Sequence, residues 1–362
     1  MIRGNKGEWS EFYAFVKLLA DGKIYAADRN LNKNESIYYL ILKIIRGSTE
    51  HLNYIINSRI SIEKEDGTVV STIPISSLIE FSERLYIGIS RSMTSEDSFQ
   101  TDVIDFFEML HTNRLCDESV ETADIRIVIH DPITQYEPLL GFSIKSYIGS
   151  KPTLFNSSQQ SNFIYKISPD LTDELTDYLN QMDTYSSRIN WLVTNGYELR
   201  FLRLYSEVFK SNLELIDSRL PEIIASALLH NYTTGENRIQ NLIQYLNLEN
   251  PCQYNIALNP NFYEYKIKRL LVDMALGMKA GRLWTGTFNA NGGYIAVKRS
   301  GEILCFHIYN WNDFQEYLVR NTKIDHPDSN VKRCNYGRIL TGSVHDFIEG
   351  SYVMLNMQIR FI

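Results

Sequence analysis

A chain of 362 residues with 44% hydrophobic and 12% aromatic content can bury a sizeable core, as one large or two ordinary domains, which excludes a disordered or fibrous polypeptide. No apolar run approaches the roughly 20 residues needed to span a bilayer, and the polar start at residues 1–6 lacks the apolar segment of a signal peptide, so a cytoplasmic location without membrane contact is expected. The formal charge of −7 argues against a simple basic nucleic-acid-binding domain, but positions 260–362 carry +4 and can still grip phosphates.

Taken in chain order, Trp9, Phe12, Phe15, Leu18 and Leu19 recur at helical spacing, with Glu8 and Glu11 near the helix start and Gly22 as its stop. Residues 37–45 and 68–73 read as β-rich runs separated by a more polar, helix-like segment. Residues 76–92 and 101–110 read as helices. In 124–131, Ile125, Ile127 and Ile129 alternate with Arg126, Val128 and His130, the period-2 pattern of a strand that Asp131-Pro132 ends. A second strand is expected after Gly141, with Ser143 and Lys145 on one face and Phe142 and Ile144 on the other. Residues 151–167 form a polar loop feeding another strand. Ser168-Pro169 then reads as the N-cap and first residue of a helix carrying Leu171, Leu175 and Leu179. Further helices are expected over 187–194, 199–215, 221–229, 236–246, 266–278 and 312–320, with a hairpin at 293–309 turning on Ser300-Gly301. The organisation expected is 1–167, 168–258 (helical) and 259–362 (α+β).

A hairpin centred near Glu137 sets Asp131 across from about Ser143 and within reach of Lys145. A carboxylate and a lysine at one spot suit phosphodiester hydrolysis: the carboxylate takes a hard divalent ion, and the lysine positions water or stabilises phosphoryl charge. Further carboxylates are available from Glu8, Glu11 and Glu137. The plainer account is that Asp before Pro makes a turn, Lys on a strand is solvated, and acidic residues favour a helix N-terminus. Both accounts fit the spacing. Asn156, Ser157 and Asn162 lie in a polar loop able to contact phosphates or base edges, and Lys151 precedes it. Arg282, Arg299, Arg333 and Arg338 are candidates for reading guanine, or ordinary surface residues.

Cys116, Cys252, Cys305 and Cys334 lie far apart with no C-x-x-C pair, so free thiols are expected. The seven histidines lack metal-ligand spacing, and no phosphate-binding Gly-rich loop is present.

Several separated segments, among them 4–11, 21–28, 141–146, 152–158, 275–278, 292–295, 305–310 and 355–361, resemble the HpaII family of type II restriction endonucleases over essentially the whole chain. The resemblance implies an α+β (mixed α/β) protein with a PD-(D/E)xK-like nuclease core, a central mixed sheet, a helical middle region and an α+β C-terminal part. It implies Mg2+-dependent cleavage of both strands of DNA at a short GC-rich palindrome, CCGG. A two-fold symmetric target suggests a homodimer on DNA by the symmetry rule for palindromic sites, with sequential nicking by a monomer as the alternative, and a cognate cytosine methyltransferase is expected to act on the same site without needing to bind. Carried over by position, Asp131 and Lys145 match the strand aspartate and the lysine, and Glu8 or Glu11 the helix glutamate. Ser143 departs from the usual Asp or Glu, a charge that a helix glutamate or Glu137 would replace. That departure keeps an inactive DNA-binding derivative, or a repair nickase of the same fold, in view.

Overall fold

The computed structural model describes residues 2–46, 51–116, 123–132, 134–149, 151–327, 333–342 and 349–362, without the side chains of 97, 98 and 308. The chain divides into two compact units. Unit 1 is Met1–Pro152, Ala275–Gly277 and Phe288–Tyr317, and unit 2 is Thr153–Met274, Met278–Thr287 and Leu318–Ile362. In chain order the elements begin with α1 (Lys6–Asp21), β1 (Lys23–Ala27), β2 (Lys33–Arg46), β3 (Leu52–Ile56), β4 (Ile60–Glu63) and β5 (Val69–Ile73). Next come α2 (Ile75–Ser90), α3 (Asp97–Met109), β6 (Ile125–His130), β7 (Leu139–Ser146), β8 (Thr153–Phe155) and β9 (Asn162–Ser168). Then follow α4 (Asp173–Asn180), α5 (Tyr185–Thr194), β10 (Glu198–Leu204), α6 (Glu207–Ile216), α7 (Leu220–Thr234), α8 (Ile239–Glu249) and α9 (Phe262–Ala275). The chain closes with β11 (Gly293–Val297), β12 (Ile303–His307), α10 (Trp311–Asn321), β13 (Thr322–Asp325), β14 (Ile339–Gly342), β15 (Gly350–Asn356) and β16 (Gln358–Phe361). The class is mixed α+β, as expected. Among the described residues no helix is long and apolar enough to cross a membrane.

Unit 1 is built on a nine-stranded mixed sheet in the order β1-β12-β11-β7-β6-β2-β3-β4-β5, and β2 also pairs with β1. The long strand β2 uses its first half against β1 and its second half against β6 and β3. Parallel pairing of β11 with β7 brings the 293–307 hairpin beside β7, so the compact units cut the chain differently from the three expected segments. The segment between the two early β-rich runs is itself a hairpin, β3 and β4, and not a helix. Tyr54, Ile60 and Ile62 are buried there, and pairing with β2 decides the conformation.

One face of this sheet is covered by α1, α2 and α3. The first of these is amphipathic by design of its sequence: Trp9, Phe12, Phe15, Leu18 and Leu19 all turn inward. Phe12 meets Phe107 edge-on at 4.6 Å, Phe15 meets Tyr54 at 5.0 Å, and Trp9 meets Phe99 at 5.5 Å. At its start Asn5 and Glu8 close a capping box, and Gly22 ends it in the left-handed conformation. On the opposite side of β11 and β12, Tyr294 and Phe306 pack on Phe314 and Tyr317 of α10.

Gly141 lies within β7 instead of preceding it, because the carbonyl of Asn289 comes close to its α-carbon: a Cβ there would stand 2.1 Å from that oxygen. Its N–H donates to the Asn291 side chain at 2.9 Å and its carbonyl accepts from Gly292 N–H at 2.7 Å. Gly141→Ala is expected to destabilise unit 1 by about 1–3 kcal/mol, the usual cost of overpacking. A urea unfolding midpoint unchanged from the parent would remove this account.

Unit 2 carries a four-stranded sheet, β10-β9-β15-β14, a three-stranded sheet, β13-β16-β8, and most of the helices. Residues 199–215, expected as one helix, are β10 followed by α6, since Leu199 to Leu204 pair with β9 and Ser206 then caps the helix by accepting from Phe209 N–H. Ser168 closes β9, and α4 starts later, capped by Thr172. Buried Tyr165 ties β9 to α7 by donating to the Ala225 carbonyl at 2.7 Å.

Candidate active site

The register of the β6–β7 hairpin decides which carboxylate meets Lys145. Ile125 opposes Phe142 and Val128 opposes Leu139, so the residue facing Ser143 is Asp124. Asp131 instead opposes Tyr136, to whose carbonyl its N–H donates at 3.0 Å. The loop is tighter than expected, and the reason is Asp131 itself. Its carboxylate accepts from Thr134 Oγ1 at 2.7 Å, its carbonyl accepts from Gln135 N–H, and Gln135 takes a positive φ to close the turn. Asp131 therefore lies seven residues along β6 from Asp124, roughly 20 Å at the rise of a strand. It is 4% exposed and accepts from Tyr309 OH. Next to it the His307 ring is pushed down to about 4 by burial, against the pull of Asp131. Glu137 is at that same end, exposed and 3.5 Å from His130 Nδ1. The expected meeting of Asp131 and Glu137 with Lys145 is thus overturned by strand register.

At the other end of the hairpin a different set converges. Asp124 Oδ2 accepts from Ile144 N–H at 2.6 Å and from Ser143 Oγ at 3.2 Å, and lies 4.0 Å from Lys145 Nζ. Ser143 is buried and serves to orient this carboxylate. From α1, Glu11 enters the same electrostatic neighbourhood. Burial first, then Asp124 and Glu8, push its carboxyl up to about 6, while Cys116 and Lys145 act in the opposite direction. Glu8, one turn earlier, is committed through Oε2 to the Asn5 N–H at 2.6 Å, so its charge contributes but its oxygen belongs to the helix cap. The side chain of Lys6 packs over Gly149, which seats the start of α1 beside the end of β7.

This arrangement offers two hard carboxylates, Glu11 and Asp124, and one cation. Among the described residues no group of three His, Cys, Asp or Glu side chains is assembled to hold a metal. A pair of carboxylates strained by mutual repulsion fits an ion such as Mg2+, which keeps several waters and takes its remaining oxygens from substrate phosphate.

The raised Glu11 pKa has a consequence for the metal-free protein. Folded Glu11 keeps its proton to about pH 6 while the unfolded residue loses it near 4.5. The folded state binds more protons in that window, so stability falls as pH rises through it. Glu11→Gln is expected to raise stability in EDTA by about 2 kcal/mol above pH 6 and to have no such effect below pH 4.5. Unfolding curves at pH 4 and pH 8 that show the same difference between variant and parent would contradict this.

The expected DNA contacts are spread over both units. Lys151 and Arg299 are exposed in unit 1, the latter at the β11–β12 turn, where its carbonyl accepts from Tyr86 OH. In unit 2, Arg282, Arg333, Arg338 and Asn156 are exposed and Ser157 is half-buried. Arg282 sits on a loop whose backbone is clamped by buried Asn212, which donates to the carbonyls of Lys279 and Arg282 and accepts from Trp284 N–H. Asn162 is not available as a contact: it is fully buried, donating to the Cys334 carbonyl and accepting from Asn356. All four cysteines are free thiols.

Asp124 and Cys116 were not singled out from sequence. A tight-turn reading of the hairpin would have found the former, because the start of a first strand faces the end of the second in any antiparallel pair.

The HpaII restriction endonuclease family model matches residues 5–361, so the chain belongs to this family and is a type II restriction endonuclease. The Type II restriction enzyme HpaII of Haemophilus parainfluenzae is 40% identical over 361 residues, covering 99% of this chain and 98% of the relative. No solved structure matches the chain.

Proposed function

We propose that this endonuclease hydrolyses both strands of duplex DNA at a short GC-rich palindrome, CCGG, using Mg2+ held by Glu11 and Asp124 in a nuclease core of the PD-(D/E)xK type. The observation that carries the reading is the placement of Asp124, Ser143 and Lys145 on paired strand ends, with the raised Glu11 carboxyl from α1 beside them. That is the helix, strand and strand layout that the family resemblance implies, with Asp124 taking the role first expected of Asp131. Mg2+, when bound, supplies a water of lowered pKa and draws charge from the phosphoryl oxygens.

Each protein group then has a defined task. Asp124 is locked by the Ile144 N–H and Ser143 hydroxyl so that its carboxylate meets the ion in one orientation. Glu11 provides the second negative charge that the neutral Ser143 does not. Lys145 orients the attacking water or donates to a phosphoryl oxygen as charge builds there. Arg282, Arg333 and Arg338 are proposed to meet phosphates or guanine edges, with Lys151, Arg299, Asn156 and Ser157 as further phosphate contacts. A two-fold symmetric target favours a homodimer during cleavage, by the symmetry rule for palindromic sites. A cytosine methyltransferase protecting the same sequence would complete a restriction–modification pair in the cytoplasm.

The test is a plasmid digest with Mg2+ followed by sequencing of the ends. Linear product with every end inside CCGG is expected. Ends at another sequence would replace the target, open circles alone would indicate a nickase, and binding in Ca2+ without cutting in any metal would indicate an inactive derivative.

A further inference from the structure

We infer that Cys116 is a positioning residue for the metal site, its thiol holding the Glu11 carboxylate in place for the divalent ion. The inference rests on the proposed role of Glu11. Cys116 Sγ donates to Glu11 Oε2 at 2.9 Å, and the carbonyl of Glu8 is 3.8 Å from the same sulfur. The thiol thus sits against the acidic face of α1.

Cys116 is not held there by chance of a loose loop. Arg46 on β2 is buried, stacks its guanidinium 4.5 Å over the Phe15 ring, and donates to the carbonyls of Arg114 and Leu115. Those bonds anchor the two residues before Cys116 to Arg46, which in turn packs on Phe15 of the helix that carries Glu11. A carboxylate near Asp124 and Glu8 is repelled from both, and without a donor it would turn away from the position where it helps hold an ion. A cysteine thiol is ordinarily protonated at neutral pH and is then a donor. Groups that orient a metal's ligands without touching the metal typically affect its affinity by about 10–100-fold.

The experiment measures the Ca2+ concentration that half-saturates tight binding of a labelled duplex carrying the cleaved sequence, followed by fluorescence anisotropy with no turnover. Cys116→Val is expected to raise it about tenfold, and Cys116→Ser, which keeps a donor, to restore most of the loss. In a Glu11→Gln background Cys116→Val is expected to add nothing, because the carboxylate it serves is gone. That result also separates positioning from a general loss of folding, which would add in either background. If Glu11→Gln raises the half-saturating Ca2+ and Cys116→Val does not, or if serine fails to rescue, this inference is overturned while the metal role of Glu11 stands. If Glu11→Gln leaves it unmoved, the role of Glu11 falls and this inference with it.

Discussion

Lys145→Ala is expected to lower the rate of DNA cleavage by about 10²–10³-fold or more, the range seen when a preorganised charge donor is removed from a transition state. Binding of the duplex in Ca2+ should change only a few-fold, since one lysine among many phosphate contacts contributes little to affinity. The side chain projects from the end of β7 beside the Asp124 carboxylate and is one of two influences that lower the Glu11 pKa. Its removal therefore does two things. It withdraws the cation proposed to steady water and phosphate, and it leaves Glu11 and Asp124 facing each other with less relief, so metal-free Glu11 should hold its proton still more tightly. Lys145→Arg keeps the charge but is a planar fork too large for the same geometry and should rescue only partly. Single-turnover rates decide the matter: an alanine variant that cuts within a few-fold of the parent would remove Lys145 from the mechanism.

Asp124→Asn is expected to abolish cleavage to a similar degree, and Asp131→Asn to leave the single-turnover rate within about threefold, because only the former carboxylate stands beside Lys145, where the ion is proposed to bind. The contrast is sharp because both residues flank the same strand. Asparagine at 124 can still accept from the Ile144 N–H, so the hairpin should fold, while the charge needed for the ion is lost. Since Asp124 is among the groups that raise Glu11, the variant should also be somewhat more stable in EDTA at neutral pH, a gain in stability at a loss of function. Asparagine at 131 would weaken the turn, where the carboxylate accepts from Thr134 and Tyr309, and its effect belongs in the melting temperature. An Asp131→Asn protein that folds normally and does not cut, beside an Asp124→Asn protein that cuts, would move the metal-binding role from Asp124 to Asp131.

Local pattern carried much of this molecule. The apolar period of α1, with its polar cap before and Gly22 after, needs no distant partner to be read, nor does the alternation of Ile125, Ile127 and Ile129 or the Ser300-Gly301 turn. Segments 52–63 and 199–204 are strands where the local pattern suggests helix, because polar and leucine-rich strands take their conformation from the neighbour they pair with. Lys145 was found on the right side of its strand. Asp131, expected across from Ser143, lies at the far end of the hairpin, because a shift in the centre of the turn moves every cross-strand partner along the ladder.

The sequence alone determined the α+β class, the first helix with its paired glutamates, the lysine strand and, through motifs distributed over the whole length, the family. Those follow from short-range periodicity, capping and residue chemistry. Only the tertiary structure decided that Asp124 stands where Asp131 was expected, that Asn162 is an internal strut, and that Cys116 sits on Glu11. Strand register and loop placement come from long-range packing, which no spacing along the chain encodes.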